Sequence, residues 1–137
     1  MRDFEFHHVG IAVPDLTVAI PGYQKLFNYE IVMGPFDDPI QNVSVCLMSR
    51  GWGDPMIELV APLGPKSPVD RILRSGGGTY HVCYEVVDIR AAIEHLVSHD
   101  ALLVSGPDPA VAFGGREIAW LMTGVNLLVE LLQKESR

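Results

Sequence analysis

The chain repeats itself. The segment His8-Val-Gly-Ile-Ala-Val-Pro-Asp-Leu-Thr-Val-Ala-Ile20 lies over His81-Val-Cys-Tyr-Glu-Val-Val-Asp-Ile-Arg-Ala-Ala-Ile93, displaced by 73 residues. Near the far end of each half, Met56-Ile-Glu-Leu-Val60 lies over Leu128-Val-Glu-Leu-Leu132, displaced by 72. Apolar strands match by chance often, but two distant blocks in near-register point to one duplicated unit. A chain of 137 residues has the size of one domain. The expectation is therefore a single domain, 1–137, made of two repeats at about 4–61 and about 78–133 and joined by 62–77.

Each repeat reads as strand, helix, then three strands. In the first, Phe6 to Val13 is rich in β-branched residues and Asp15 is an N-cap. Leu16, Ala19, Ile20, Tyr23 and Phe27 then recur at helical spacing, with Pro21 expected to kink or divide the helix. Strands follow at Tyr29 to Met33, Val43 to Ser49 and Pro55 to Val60. In the second, Tyr80 to Val86 is a strand and Asp88 caps a helix carrying Ile89, Ala92, Ile93 and Leu96, with strands near Leu102, Ile118 and Leu128. The joining segment, with Gly76-Gly-Gly78, carries a short helix around Val69 to Arg74. The fold class expected is α+β, two βαβββ units in a mixed sheet.

Side chains on a strand alternate between faces. His8, Gly10 and Ala12 point opposite to Val9, Ile11 and Val13, and His81, Cys83 and Glu85 point opposite to Val82, Tyr84 and Val86. Glu58 opposes Ile57 and Leu59, as Glu130 opposes Val129 and Leu131. If the apolar side packs on the helix, the other face holds the polar groups. First and last strands of both units then bring His8, Glu58, His81 and Glu130 to one cavity. Glu130 stands out because Leu127-Leu-Val-Glu-Leu-Leu132 surrounds a carboxylate with apolar residues. Buried there, it has to be paired, hydrogen-bonded, protonated or bound to a cation. Two imidazoles and two carboxylates suit one divalent ion, Zn, Ni, Co, Mn or Fe, with positions left for water or substrate.

Other residues read more plainly. His7 is exposed or faces the helix, His95 and His99 are solvated, and Glu85 is a strand-end glutamate with the parity of His81. Cys46 and Cys83 lack CxxC spacing and are expected as free thiols. The Gly76 run and the Phe113-Gly-Gly-Arg116 stretch read either as loops closing over a ligand, with Arg116 meeting an anion, or as ordinary turns. There is no GxSxG, Walker or dinucleotide motif. With 48% hydrophobic and 20% charged residues the chain can bury a core, and its net charge of −7 argues against nucleic acid and an anionic membrane surface. Val9 to Val13, cut short by Pro14, is neither signal peptide nor span, so the expectation is a cytoplasmic protein.

At these residues the chain resembles the vicinal oxygen chelate superfamily, which includes glyoxalase I, methylmalonyl-CoA epimerase, extradiol dioxygenases and bleomycin-resistance-type proteins. The likeness runs from about Phe4 to Gln133. The segments His7-His-Val-Gly-Ile-Ala-Val-Pro-Asp15, Glu58-Leu-Val-Ala-Pro-Leu-Gly64, Ser67-Pro-Val69, His81-Val-Cys-Tyr-Glu-Val86 and Val129-Glu-Leu131 are most similar to the epimerase branch. The resemblance implies an α+β fold in which two βαβββ units form a cupped mixed sheet around a metal site, with metal ligands at His8, Glu58, His81 and Glu130, a substrate-facing Gln41, and a homodimer. The chain departs from the epimerase pattern twice. After Gln41 it reads Asn-Val-Ser-Val-Cys-Leu-Met48, without the usual third-strand glutamate, and Glu58 stands where glutamine is common. The set His-Glu-His-Glu is that of bacterial glyoxalase I, in which a metal-bound glutamate moves the proton.

The expected function is a metal-dependent isomerase, epimerase or lyase that removes a proton α to the carbonyl of a small thioester or 2-oxo-aldehyde adduct. Glu58 and Glu130 are ligand and candidate base, and Arg116 joins Gln41 as a substrate contact. Two other readings stand beside it. His8, His81 and Glu130 alone match a two-histidine, one-carboxylate Fe(II) oxygenase; the same cup could also serve a non-catalytic small-molecule binder.

Overall fold

The computed structural model describes residues 3–135. Eight strands and three helices follow in the order β1 (Glu5–Ala12), α1 (Leu16–Phe27), β2 (Glu30–Asp38), β3 (Val43–Ser49), β4 (Met56–Pro62), α2 (Asp70–Arg74), β5 (Gly78–Val86), α3 (Ile89–Val97), β6 (Leu102–Pro109), β7 (Glu117–Met122) and β8 (Leu128–Gln133). A single 3-10 turn, Val111–Phe113, precedes β7. The chain divides into two compact units, residues 8–80 and residues 3–7 with 81–135. No helix among the described residues is long and apolar enough to cross a membrane.

In the unit of residues 8–80 the strands run β2-β3-β4-β1, antiparallel except for the parallel pair β1 and β4. Helix α1 starts where the Asp15 carboxylate accepts from the Thr17 amide at 2.9 Å. It ends at Asn28, whose φ of 62° closes the last turn onto Gln24 and Tyr23. Leu16 and Ile20 pack on Ile57, Leu59 and Ala61 of β4 and on Cys46 and Met48 of β3. Pro21 neither ends nor divides the helix, which runs through it as one 12-residue element. The amide that Pro21 lacks would have reached the Thr17 carbonyl, and both residues lie on the exposed side of the helix.

The other unit repeats the plan in the order β5-β8-β7-β6, with β5 parallel to β8 and the remaining pairs antiparallel. Asp88 caps α3 by accepting from the Ala91 amide, and Ile89 and Ala92 pack on Val86, Ala119, Leu121, Val129 and Leu131. Phe4 joins this core against Tyr84 and His95, and Glu5 pairs with Lys134 at 2.8 Å.

The outer strands are longer than expected, because β2 continues through Gly34-Pro35 and β6 through Gly106-Pro107. Both peptide bonds are cis, and both lie among shifts of register against the neighbouring strand. Proline is tolerated because each strand is the last of its unit's sheet. The glycines are required. Gly34 and Gly106 have φ of 99° and 96°, and a Cβ would stand 2.8 Å from the Val45 carbonyl oxygen or 2.6 Å from that of Ile118. These twin positions are displaced by 72 residues, in step with the two matching blocks of sequence.

Candidate metal centre

In each unit the helix claims one face of the sheet, and the opposite face carries a histidine from the first strand and a glutamate from the last. On β1, Ile11 lies against the α1 core while His8 and Gly10 face away from it. Glu58 of β4 is in register with Gly10 of β1 and Leu47 of β3. Gly10 offers no side chain, so the Glu58 carboxylate can lean across β1 toward His8. The His8 Nε2 and Glu58 Oε1 atoms are 3.5 Å apart, and the two residues are 0% and 4% exposed.

The second unit builds the same pair on its own strands. Glu130 of β8 is in register with Cys83 of β5 and Trp120 of β7. His81 Nε2 lies 3.4 Å from Glu130 Oε1, with the residues 1% and 2% exposed. Cys83 takes the place of Gly10 and Trp120 that of Leu47.

Both pairs are buried acid–base couples whose separation exceeds a hydrogen bond, about 2.7–3.2 Å for N–H···O. Two ligands about 2.1 Å from one tetrahedral ion stand about 3.4 Å apart, so the observed spacing is that of adjacent donors on a cation. Imidazole nitrogen and carboxylate oxygen are also the donors that borderline divalent ions take. Each pair by its chemistry and spacing fits half of such a site.

The remaining candidates fall elsewhere. Gln41 is half-buried in the turn between β2 and β3, where its backbone N–H donates to the Asp38 carboxylate at 3.0 Å. Arg116 does meet an anion, but one of this chain: its Nη1 donates to Glu85 at 2.8 Å and to the Gln133 carbonyl at 3.0 Å. Glu85 is thus a half-buried ion-pair partner rather than a free surface carboxylate. His7 is half-buried edge to face with Phe113 at 5.6 Å, while His95 and His99 are exposed. Cys46 and Cys83 are buried and neither is in a disulfide. Cys46 belongs to the α1 side of its sheet, and burial pushes its thiol pKa up, which keeps it protonated and inert.

Trp120 was not singled out in the sequence. Its ring centroid lies 4.7 Å from that of His81, with the planes at 86°. The available signal was its parity: counting back along β7 and across to β8 sets Trp120 on the face of Glu130. An aromatic residue in a strand otherwise reads as core.

A family model described as the glyoxalase/bleomycin resistance protein/dioxygenase superfamily matches residues 7–120. The ethylmalonyl-CoA/methylmalonyl-CoA epimerase of Cereibacter sphaeroides is 36% identical over 117 residues, covering 84% of this chain and 85% of its own. The mitochondrial methylmalonyl-CoA epimerase of Dictyostelium discoideum is 31% identical over 138 residues, covering 95% of this chain and 78% of its own. Among solved structures, the methylmalonyl-CoA epimerase of Mycobacterium tuberculosis superposes with a TM-score of 0.83 at 26% identity, over 96% of this chain and 89% of that one. The expected α+β fold of paired βαβββ units is the one found.

Proposed function

From the premise that this chain belongs to the glyoxalase/bleomycin resistance protein/dioxygenase superfamily, the vicinal oxygen chelate group, we propose that it is a metal-dependent epimerase of a CoA thioester. Its similarity to the methylmalonyl-CoA epimerases makes it an enzyme of isomerase type. In this reading His8, Glu58, His81 and Glu130 together hold one divalent cation, of the series Zn, Ni, Co, Mn and Fe. The observation that carries it is the pair of matched His–Glu couples, each buried, at 3.5 and 3.4 Å.

When bound, such a cation supplies a Lewis acid that takes up negative charge developing on a carbonyl oxygen. The proton on the carbon next to that carbonyl would pass to one of the carboxylates Glu58 and Glu130, and delivery of a proton to the opposite face by the other would give the epimer. The structure supports a base of this kind because β3 offers none. Its residues facing with Glu58 are Val43, Val45 and Leu47, all buried and apolar. Burial of both glutamates keeps water from competing for the proton. Gln41 and Arg116 complete the reading as contacts for the acyl and anionic parts of the substrate, with Arg116 held in place by Glu85. A homodimer belongs to the same proposal and is checked by sedimentation.

Glu58, standing where the epimerase pattern commonly has glutamine, favours a second substrate for the same chemistry, the hemithioacetal of methylglyoxal and a thiol. Incubation of metal-loaded protein in deuterated buffer with methylmalonyl-CoA, or separately with that hemithioacetal, should give exchange or turnover that a chelator abolishes. No exchange with either removes both substrates. Elemental analysis of the protein and of His81→Ala tests the ion independently. A protein that stays metal-free after incubation with Zn, Ni, Co and Mn refutes the metal site.

A further inference from the structure

The two His–Glu couples match in spacing and burial but not in what stands beside them. Across the strand next to Glu58 lies Leu47, fully buried. Across the strand next to Glu130 lies Trp120, which is only half-buried. Its neighbours on β7, Ala119 and Leu121, turn into the α3 core, so the indole lies on the face that carries His81, Cys83 and Glu130. Ile118 and Leu132 are cross-strand partners on this same face and are both buried. The indole is therefore a large, partly open wall next to one histidine.

We propose that Trp120 is a positioning and specificity residue: it orients the His81 ring for the cation, and its open part limits the size of the substituent on the reacting carbon. The first role follows from the contact. A ring at 4.7 Å and 86° is an edge-to-face pair, which opposes rotation of the imidazole while its Nε2 faces Glu130. Neighbours that fix a ligand's rotamer determine how well the ligand set is organised before the ion arrives. The second role follows from bulk. An indole beside the site occupies space that a leucine in the matching position of the other unit leaves open, and pockets discriminate by such volume at about tenfold or more per methylene. The second role rests on the acyl-CoA reading above. The first rests only on the metal site.

The chain has two tryptophans, and Trp52 is 92% exposed in the turn after β3. Trp52→Phe therefore leaves Trp120 as the sole indole without touching the site. In that background, titration with Ni or Co should quench the emission with a stoichiometry of one ion, and adding His81→Ala should abolish the quenching. Competition with a chromophoric chelator should show Trp120→Ala binding Co about three- to tenfold more weakly, with an altered visible Co spectrum, while Trp120→Phe stays within about twofold. For methyl-, ethyl- and propylmalonyl-CoA, Trp120→Ala should raise the propyl-to-methyl ratio of kcat/KM by about tenfold, and Trp120→Phe should raise it less. Unquenched emission from protein that elemental analysis shows to be loaded would overturn the proposal. So would a Trp120→Ala protein of native circular dichroism whose ion affinity and size ratio both match wild type. If wild type exchanges none of the thioesters, the acyl-CoA reading and the size limit fall together, and quenching and ion affinity alone decide the orienting role.

Discussion

Replacing Gly106 with alanine should be among the most damaging single-methyl additions in this chain. Its φ of 96° lies in the region that L-residues avoid, which costs about 1–2 kcal/mol for any side chain. The added Cβ would stand 2.6 Å from the Ile118 carbonyl oxygen, 2.9 Å from the Ala119 Cα and 3.2 Å from the Ala119 Cβ. None of these is a flexible side-chain end, so β6 and β7 have to separate, an overpacking cost of about 1–3 kcal/mol. The sum is about 2–5 kcal/mol. Gly115→Ala is the internal control: its φ is 85°, but no atom lies within 4 Å of the new Cβ, so only the first cost applies, about 1–2 kcal/mol. Urea unfolding followed by far-ultraviolet circular dichroism reads both from the midpoints, provided the slopes agree. Because β7 carries Trp120 opposite Glu130, the Gly106 variant should also shift the emission maximum of Trp120 in a Trp52→Phe background. Equal destabilisation of the two variants, within about 0.5 kcal/mol, would refute the argument from close approach.

Three further outcomes follow from the same features. Pro21→Ala should stabilise the protein by about 1–2 kcal/mol, since it restores the bond to the Thr17 carbonyl and loses only some of the unfolded-state restraint, and thermal unfolding checks it. Removing the ion with a chelator should lower stability by about 3–4 kcal/mol relative to protein held at roughly 100–1,000 times the dissociation constant, and His81→Ala should make stability insensitive to chelator. The Asp15 carboxyl, holding the Thr17 amide and hydroxyl, titrates below its ordinary value of 3.8, so its contribution is present above that value and disappears as pH falls through the lower folded-state pKa. Acid unfolding of Asp15→Asn, which caps without titrating, should therefore lack that part of the pH dependence.

The sequence made α1, α3 and the inner strands legible because each carries its own periodicity and the two helices their own caps. Asp15 and Asp88 stand before apolar residues at helical spacing, and both accept from amides of the first turn. The outer strands were less legible for a physical reason. Gly34-Pro35 and Gly106-Pro107 carry the strongest local signal for a turn, yet each lies inside a strand. Proline can occupy the outermost strand, and glycine there answers to the neighbouring strand's backbone rather than to its own neighbours in sequence. Such a requirement appears only once β3 and β7 are in place. Arg116 shows the same limit, because nothing local in the sequence says that Glu85, far off in sequence, pairs with this loop arginine.

Trp120 marks where parity stops being sufficient. His8, Glu58, His81 and Glu130 are conspicuous because a polar group among apolar strand neighbours has to be accounted for, and burial at 0–4% makes that account necessary. An indole raises no such alarm, since it satisfies the core and the site equally well. What separates the two uses is register. Trp120 falls opposite Glu130 on the strand next to it, as Leu47 falls opposite Glu58. The two units thus serve as each other's control: the histidine and the glutamate stand at matching positions in both, as a shared task requires, and the position that differs, leucine in one and tryptophan in the other, can carry a preference of its own without disturbing the ligand set.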